Sequence, residues 1–242
     1  MSTKTDQISI SGINIDIVRK EIKNLHLAVY PPNGRVRISA PEHTSDETIR
    51  LAIINRISWI KKQQEAMAKQ ERQTKRDMVS GESHYFKGQR YLLEVVYKDE
   101  VPKVRIRNVK KLELQVRPNT DRDKRKTILD EWYREKLKKL IPEMVSKWEK
   151  IIGIKVSTCL VKKMKTKWGS CNIADRRIWL NLELMKKPYE CIEYILVHEM
   201  VHFFERHHND RFRELMDKFM PNWRHQKAEL KRAPLAHEDW KY

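Results

Sequence analysis

The sequence contains no run approaching the roughly 18 consecutive apolar residues that a membrane-spanning helix needs, so no transmembrane segment and no membrane partner are expected. Its opening residues, Met-Ser-Thr-Lys-Thr-Asp-Gln, hold no apolar secretory core. Cysteine is scarce. Cys159, Cys171 and Cys191 cannot all pair with one another, and none stands in Cys-x-x-Cys spacing, a pattern that suits a reducing compartment. Together these absences predict a cytoplasmic chain. No solenoid-type repeat is visible, and no zinc-finger, helix-turn-helix or RNA-recognition pattern is present. Acid is also short relative to base: 33 Asp and Glu against 51 Lys and Arg leave a formal charge of +18.

So basic a chain attracts nucleic acid, acidic proteins and anionic lipid alike. In most helical segments, however, Lys and Arg alternate with Glu and Asp, as on a solvated helix surface. The clearest exception is Lys155 to Lys167, with five lysines and no acid. It lies just before the motif-bearing region, where it could face a substrate. Nucleic acid stays open as a partner through this basic surface. With 242 residues and 40% hydrophobic content, the chain is long enough to bury a sizeable core.

The pattern predicts an α+β protein. Ile8 and Ile10, then Ile13, Ile15 and Ile17, alternate on either side of Ser11-Gly12, as in a hairpin. Leu25, Leu27 and Val29 alternate up to the turn Pro31-Pro32-Asn33-Gly34, and Val36 and Ile38 resume beyond it. Thr44-Ser45-Asp46-Glu47 has the spacing of a capping box. It opens a long helix (about 44–76) with the stripe Ile49, Ile53, Ile57 and Ile60, which the Ser80-Gly81 region ends. Strands are expected at Tyr91 to Tyr97, Val104 to Ile106 and Leu112 to Val116. A helix follows from about Asp121 to Lys150, kinked or divided at Pro142 and capped by Gly153. Val156 to Met164 and Ile178 to Leu184 read as further strands. Pro188 then stands at the first position of another helix. The expected organisation is a β-rich region over 1–120 and a second domain over 121–242.

That last helix carries His198-Glu199-Met200-Val201-His202. Residues four apart on a helix lie about 40° apart around its axis, so His198 and His202 project side by side and can ligate one metal ion. Glu199 stands beside the first ligand and can reach a metal-bound water without ligating the metal. This is the physical content of H-E-x-x-H: two imidazoles for zinc and a carboxylate as general base. Ile192, Tyr194 to Val197, Met200, Val201, Phe203 and Phe204 make the segment apolar nearly all round, which predicts a buried helix. Buried histidines and glutamates need partners. Catalytic zinc needs a third protein ligand, and His207 and His208 are both near. Neither would point at the metal from an unbroken helix. The turn-forming His207-His208-Asn209-Asp210, with Asp210 capping a helix from Arg211, would let one of them fold back. Geometry alone leaves the two equal.

The order of these residues resembles a known family. Lys167-Trp168-Gly169-Ser170-Cys171, the Ile178 to Leu184 segment with Asn181, Pro188, Tyr194 to His202, His208, Phe212 and Pro221 are similar to the YgjP-like metallopeptidases. These are minimal gluzincins related at the active site to the SprT and Spartan proteases. The resemblance implies a minimal zincin-like catalytic domain, its H-E-x-x-H helix packed on a small, mostly antiparallel sheet. In that family the third ligand stands six residues after the second, which selects His208. Met200 replaces the usual leucine, His207 stands where a small polar residue is common, and the metzincin glycine is absent, Glu205 holding its place. The implied activity is zinc metalloendopeptidase, with one zinc per chain held by His198, His202 and His208, and with protein or peptide substrates. Zinc would polarise the scissile carbonyl while Glu199 takes a proton from the attacking water and delivers it to the leaving amine.

Other residues have less definite readings. Trp168 to Cys171 reads as a strand-end turn, with Trp168 in the core and Gly169 in an unusual backbone conformation; the alternative is a strand on which substrate pairs. Cys171 is a further candidate zinc ligand. Arg224 and His225 are candidates for oxyanion stabilisation, or simply surface basic groups, and Trp179 and Trp240 read as packing residues. The rival function is a basic nucleic-acid-associated protein with structural zinc. A hybrid of the two is a DNA-recruited protease acting on DNA-bound proteins.

Overall fold

The computed structural model describes residues 5–30, 33–69, 76–164 and 167–232. The fold is α+β, and the chain divides into two compact units between residues 72 and 73. The expected boundary at 120/121 falls inside the second unit. The reason is a shared core: Tyr91, Leu93, Leu112 and Leu114 of the second strand set pack in one apolar cluster with Leu129, Tyr133 and Leu137 of the helix that follows.

In the first unit, β1 (Thr5–Ile10) and β2 (Ile13–Lys20) pair antiparallel with Ile8 opposite Ile15. Ser11 and Gly12 between them both have positive φ (51° and 77°), the conformation a tight two-residue hairpin requires. β3 (His26–Tyr30) pairs antiparallel with β4 (Arg35–Pro41), and β4 runs parallel to β2, giving the order β1-β2-β4-β3. Pro31 and Pro32 of the expected turn lie outside the described residues.

The long helix expected over 44–76 is two helices, α1 (Asp46–Ile54) and α2 (Ile57–Lys69). Asn55 ends α1 and the chain turns at Asn55-Arg56, yet the isoleucine stripe survives the break: Ile49, Ile53 and Ile60 are all fully buried against Ile15, Val36 and Ile38. Core contact, and not helix continuity, is what the stripe encodes. The N-cap is Ser45, whose hydroxyl accepts from the Thr48 amide, so Glu47 stands one position short of a capping box. The expected tail beyond Lys69 lies largely outside the described residues.

The second unit opens with β5 (Ser83–Phe86), which the hydrophobic pattern does not announce. β6 (Gln89–Tyr97), β7 (Lys103–Asn108) and β8 (Lys111–Val116) follow. The order β5-β6-β8-β7, with β6 and β8 parallel and the outer pairs antiparallel, repeats the topology of the first sheet. Both sheets lead into helix, so the chain uses one ββββα plan twice without sequence repetition.

Helix α3 (Arg122–Ile152) is continuous through Pro142, so the expected division there does not occur. A mid-helix proline costs about 3 kcal/mol. Against this, Tyr133, Leu137, Ile141, Met144 and Trp148 are buried on one face, each side chain contributing about 1.5–3 kcal/mol. The apolar face wins. Asp121 caps the start by accepting from the Lys124 amide, and Gly153 closes the end with φ of 79°.

A three-stranded mixed sheet follows, in the order β10-β11-β9. β9 (Thr158–Lys162) is parallel to β11 (Arg177–Asn181), and β10 (Gly169–Asn172) is antiparallel to it. The strand expected to Leu184 stops at Asn181. That side chain caps a 3-10 turn over Leu182–Lys186 by accepting from the Glu183 amide. Three helices complete the unit: α4 (Tyr189–Val201), α5 (Asp210–Phe219) and α6 (Trp223–Arg232). Pro188 precedes α4 as its N-cap and is not its first residue. Among the described residues no helix is long and apolar enough to cross a membrane.

Candidate active site

Helix α4 is packed on several sides. Ile192, Leu196, Val197, Met200 and Val201 are fully buried. The helix stops at Val201, so Phe204, expected on the same buried helix, lies beyond it and is 42% exposed. From the last turn of α4 and from its C-cap residue the imidazoles of His198 and His202 emerge together. His208 Nε2 lies 3.0 Å from His198 Nε2 and 3.1 Å from His202 Nε2. The turn after α4 brings it there, whereas His207 is exposed and belongs to no such cluster.

Two devices shape that turn, and neither is legible in the motif. The Glu205 carboxylate accepts from the His207 amide, and the Glu205 backbone carbonyl lies 3.0 Å from His202 Nδ1. A carbonyl can only accept, so His202 carries its proton on Nδ1 and leaves the Nε2 lone pair directed into the cluster. Helix α5 is capped by Asn209, one residue earlier than the expected Asp210, with Asn209 Oδ1 accepting from the Phe212 amide. That cap places Phe212 in the first turn. Its buried ring is 4.9, 4.8 and 4.7 Å from the rings of His198, His202 and His208 and forms a common floor for all three.

The donor set fits a zinc ion. Three imidazole nitrogens converge, and a tetrahedral ion with bonds of about 2.05 Å would hold its ligand nitrogens about 3.3 Å apart, close to the observed separations. All three rings are held neutral, as metal ligation requires. His198 is pushed down to about 3 by burial first, and the charge of Lys227 adds to the effect. Its Nδ1 is buried without a hydrogen-bond partner among the described residues. His202 and His208 are also lowered, burial being the main cause for each.

Glu199 is buried beside them, and burial lifts its carboxyl to about 7, partly offset by a hydrogen bond with Cys171 and by the charge of Lys167. The wall against it is β10. A Cβ on Gly169 would stand 2.7 Å from Glu199 Oε1, 2.8 Å from its Cγ and 2.8 Å from Ile195 Cγ2. Gly169 therefore serves close approach, and its φ is not positive, contrary to the expected special turn. Trp168 is only half-buried, with Lys187 Nζ 5.4 Å from its ring centre. Cys171 does not join the histidine group, and its thiol, pushed up to about 12 by burial and by Glu199, faces the carboxylate instead.

Asn181 fixes this wall. It is buried, its amide donates to the carbonyls of Met164 and Lys167, and its oxygen accepts from the amides of Met164 and Glu183. Its backbone amide donates to Trp168. One side chain thus ties both ends of the segment that delivers β10 to Glu199.

The site opens into a cavity of about 640 Å³ between β10, the end of α4 and α6. Arg224 and His225 do not line it. Arg224 is paired with Asp217, a structural role, while Tyr194 and Lys227 occupy the cavity wall. Trp179 is half-buried under the Arg177 guanidinium at 5.6 Å, and Trp240 lies outside the described residues.

Three histidine side chains gather beside a buried carboxylate at the end of α4, a group that could hold a metal ion. Residues 23–233 match the YgjP-like family, described as a metallopeptidase domain, and the chain belongs to that family. Among solved structures it is similar to the metallopeptidase zymogen abylysin of Pyrococcus abyssi (17% identity, TM-score 0.34), over 39% of this chain and 98% of that one. It is also similar to the zymogen jannalysin of Methanocaldococcus jannaschii (21% identity, TM-score 0.34), over 37% of this chain and 92% of that one. No curated protein matches the sequence.

Proposed function

We propose that the chain is a zinc-dependent endopeptidase in which His198, His202 and His208 hold the metal and Glu199 is the general base. The observation that carries this reading is the convergence of three neutral imidazole nitrogens beside a buried carboxylate in an open cleft. Bound zinc would supply Lewis acidity, polarising a carbonyl and lowering the pKa of water toward roughly 7. The remaining work belongs to the chain's own residues. Glu199, buried beside the cluster, accepts a proton from the attacking water and returns it to the leaving amine. Cys171 holds the carboxylate from one side, and the bare Gly169 backbone lets β10 close against it. β10 is the outer strand of its sheet among the described residues, so an extended substrate segment can add alongside it. An internal peptide segment suits that edge.

The rival nucleic-acid reading keeps only the net charge in its favour. The test of the peptidase reading is Glu199→Gln in zinc-loaded protein. Cleavage of unfolded casein should fall at least about a hundredfold, as loss of a general base does, with zinc content unchanged. Undiminished cleavage by the variant would overturn it.

A further inference from the structure

One polar group on the cleft wall is used by nothing inside the molecule. Tyr194 stands on α4 one helical turn before His198 and is only 4% exposed. A buried tyrosine hydroxyl ordinarily finds a hydrogen-bond partner within the protein. That of Tyr194 has none among the described residues. Among those residues only Arg37 Nε and His198 Nδ1 are both fully enclosed and unpartnered, so the Tyr194 oxygen is open, and the residue borders the cavity. Packing holds its ring in place. It stacks on Trp223 at 6.3 Å, and Trp223 is itself fixed by donating from Nε1 to Asp217 at 2.7 Å. The His198 ring packs against it in a T-shaped arrangement at 5.8 Å.

Position along the cleft decides what this hydroxyl can reach. Tyr194, Ile195, His198 and Glu199 of α4 and its C-cap His202 line the cavity, a spacing that puts them on one face. At 1.5 Å per residue, Tyr194 stands about 6 Å before His198 along the axis. Side chains on a helix lean toward its N-terminus, which carries the hydroxyl farther from the histidines. Extended chain advances about 3.3 Å per residue, so the separation corresponds to about two residues of substrate. β10 spans the same stretch, since Gly169 meets both Glu199 and, one turn earlier, Ile195.

We propose that Tyr194 is a substrate-binding residue whose hydroxyl donates to a main-chain carbonyl of the extended substrate, about two residues from the bond to be cleaved. The proposal rests on the peptidase reading and adds main-chain recognition to that same site. The donor is held ready and gives up no internal bond when substrate arrives. Ile195 and Leu230, both buried, border the cavity with it, so the new bond forms against apolar walls, where it is stronger than in open water. Lying too far along the cleft to touch the reacting carbonyl, it holds ground state and transition state alike. Such a contact raises affinity without speeding the chemical step. Because its acceptor is backbone, it does not depend on the side chains of the substrate.

The test is Tyr194→Phe in zinc-loaded protein, which removes the oxygen and keeps the stacked ring. On a quenched fluorescent peptide KM should rise about two- to tenfold, as loss of one neutral hydrogen bond predicts, with kcat held within about twofold. Peptides of unrelated side-chain sequence should show the same rise. Zinc content and melting temperature should not change, because no internal bond is lost; a fall in melting temperature would reveal a structural partner and overturn the proposal. A second measurement starts from the unsubstituted protein. Peptides in which one carbonyl at a time becomes a thioamide, a weaker acceptor, should show raised KM at a position about two residues from the cleaved bond. Tyr194→Phe should abolish that sensitivity. Unchanged KM in the folded variant, a loss confined to kcat, or no carbonyl coupled to Tyr194 would each overturn the proposal. Binding separates the two ideas. Anisotropy of the same peptide on zinc-loaded Glu199→Gln protein, with and without Tyr194→Phe, should show the same two- to tenfold weakening. Weakening of this kind in a protein that cleaves nothing sinks the peptidase reading alone, and cleavage with KM unmoved sinks this one alone.

Discussion

Gly169→Ala adds one carbon at the point where β10 meets Glu199. The new Cβ would fall 2.7 Å from Oε1, 2.8 Å from Cγ and 2.8 Å from Ile195 Cγ2, where ordinary contact begins near 3.4 Å. Something must move by at least about 0.6 Å. Ile195 is buried and anchored in α4, and the Glu199 carboxylate is buried and bonded to Cys171, so neither yields freely. Overpacking of this kind costs about 1–3 kcal/mol of stability. The catalytic cost should be larger in proportion, because misplacing a reacting group by about 1 Å lowers rate about a hundredfold. None of the three atoms nearest the new Cβ belongs to a histidine, so metal should stay bound. The assay is kcat and KM on a quenched fluorescent peptide, with zinc content and urea unfolding measured on the same samples. The expected result is kcat lowered tenfold to about a hundredfold, KM little changed, and zinc retained. Wild-type kcat in a folded Gly169→Ala variant would refute the packing argument.

Asn181→Ala removes donors from two carbonyls and an acceptor from two amides, and should cost about 2–4 kcal/mol in urea unfolding. Asn181→Asp should not rescue it, because a carboxylate cannot donate to Met164 and Lys167; rescue by Asp would contradict the assigned bonds. His84 gives a pH signature. Burial, then the charges of Arg76 and Lys186, lower it to about 3 from an ordinary 6.5. Below pH 6.5 the unfolded chain takes up this proton while the folded chain does not. Stability should therefore fall with decreasing pH between about 6.5 and 3, by up to about 1.4 kcal/mol per pH unit. The difference between wild type and His84→Gln, measured by denaturation across that window, should show this slope. Parallel curves would remove His84 as its source. The Glu82 carboxylate, 3.4 Å away and accepting from the Asp77 and Met78 amides, softens the effect without reversing it.

Alternation and helical spacing made much of the fold legible, because burial of one face is the constraint they record. The Ile8 to Ile17 hairpin, the isoleucine stripe and the strands between Tyr91 and Val116 stand where periodicity put them. What failed was local punctuation set by tertiary contact. The break at Asn55-Arg56 sits inside an unbroken apolar stripe, while Pro142, a nominal breaker, is overruled by buried neighbours. The strand ending at Asn181 carries apolar residues onward, and only the side-chain cap tells that it has turned. At the site, His198, Glu199 and His202 were readable because a helix fixes their mutual geometry in sequence. The choice of His208 over His207 depends on a turn whose hydrogen bonds, from Glu205 and Asn209, are visible only in three dimensions. Phe212 and Gly169 were named among motif residues, but their physical reasons, a floor for three imidazoles and clearance for a carboxylate, belong to packing between distant segments.

The central claim is that His198, His202 and His208 together hold one metal ion, and elemental analysis tests it most directly. Purified wild-type protein, dialysed against zinc and then against buffer, should contain about one zinc per chain. His202→Ala and His208→Ala should each lose it, while His207→Ala retains it. A full complement of zinc in folded His208→Ala protein, or none in folded wild type, would contradict the account.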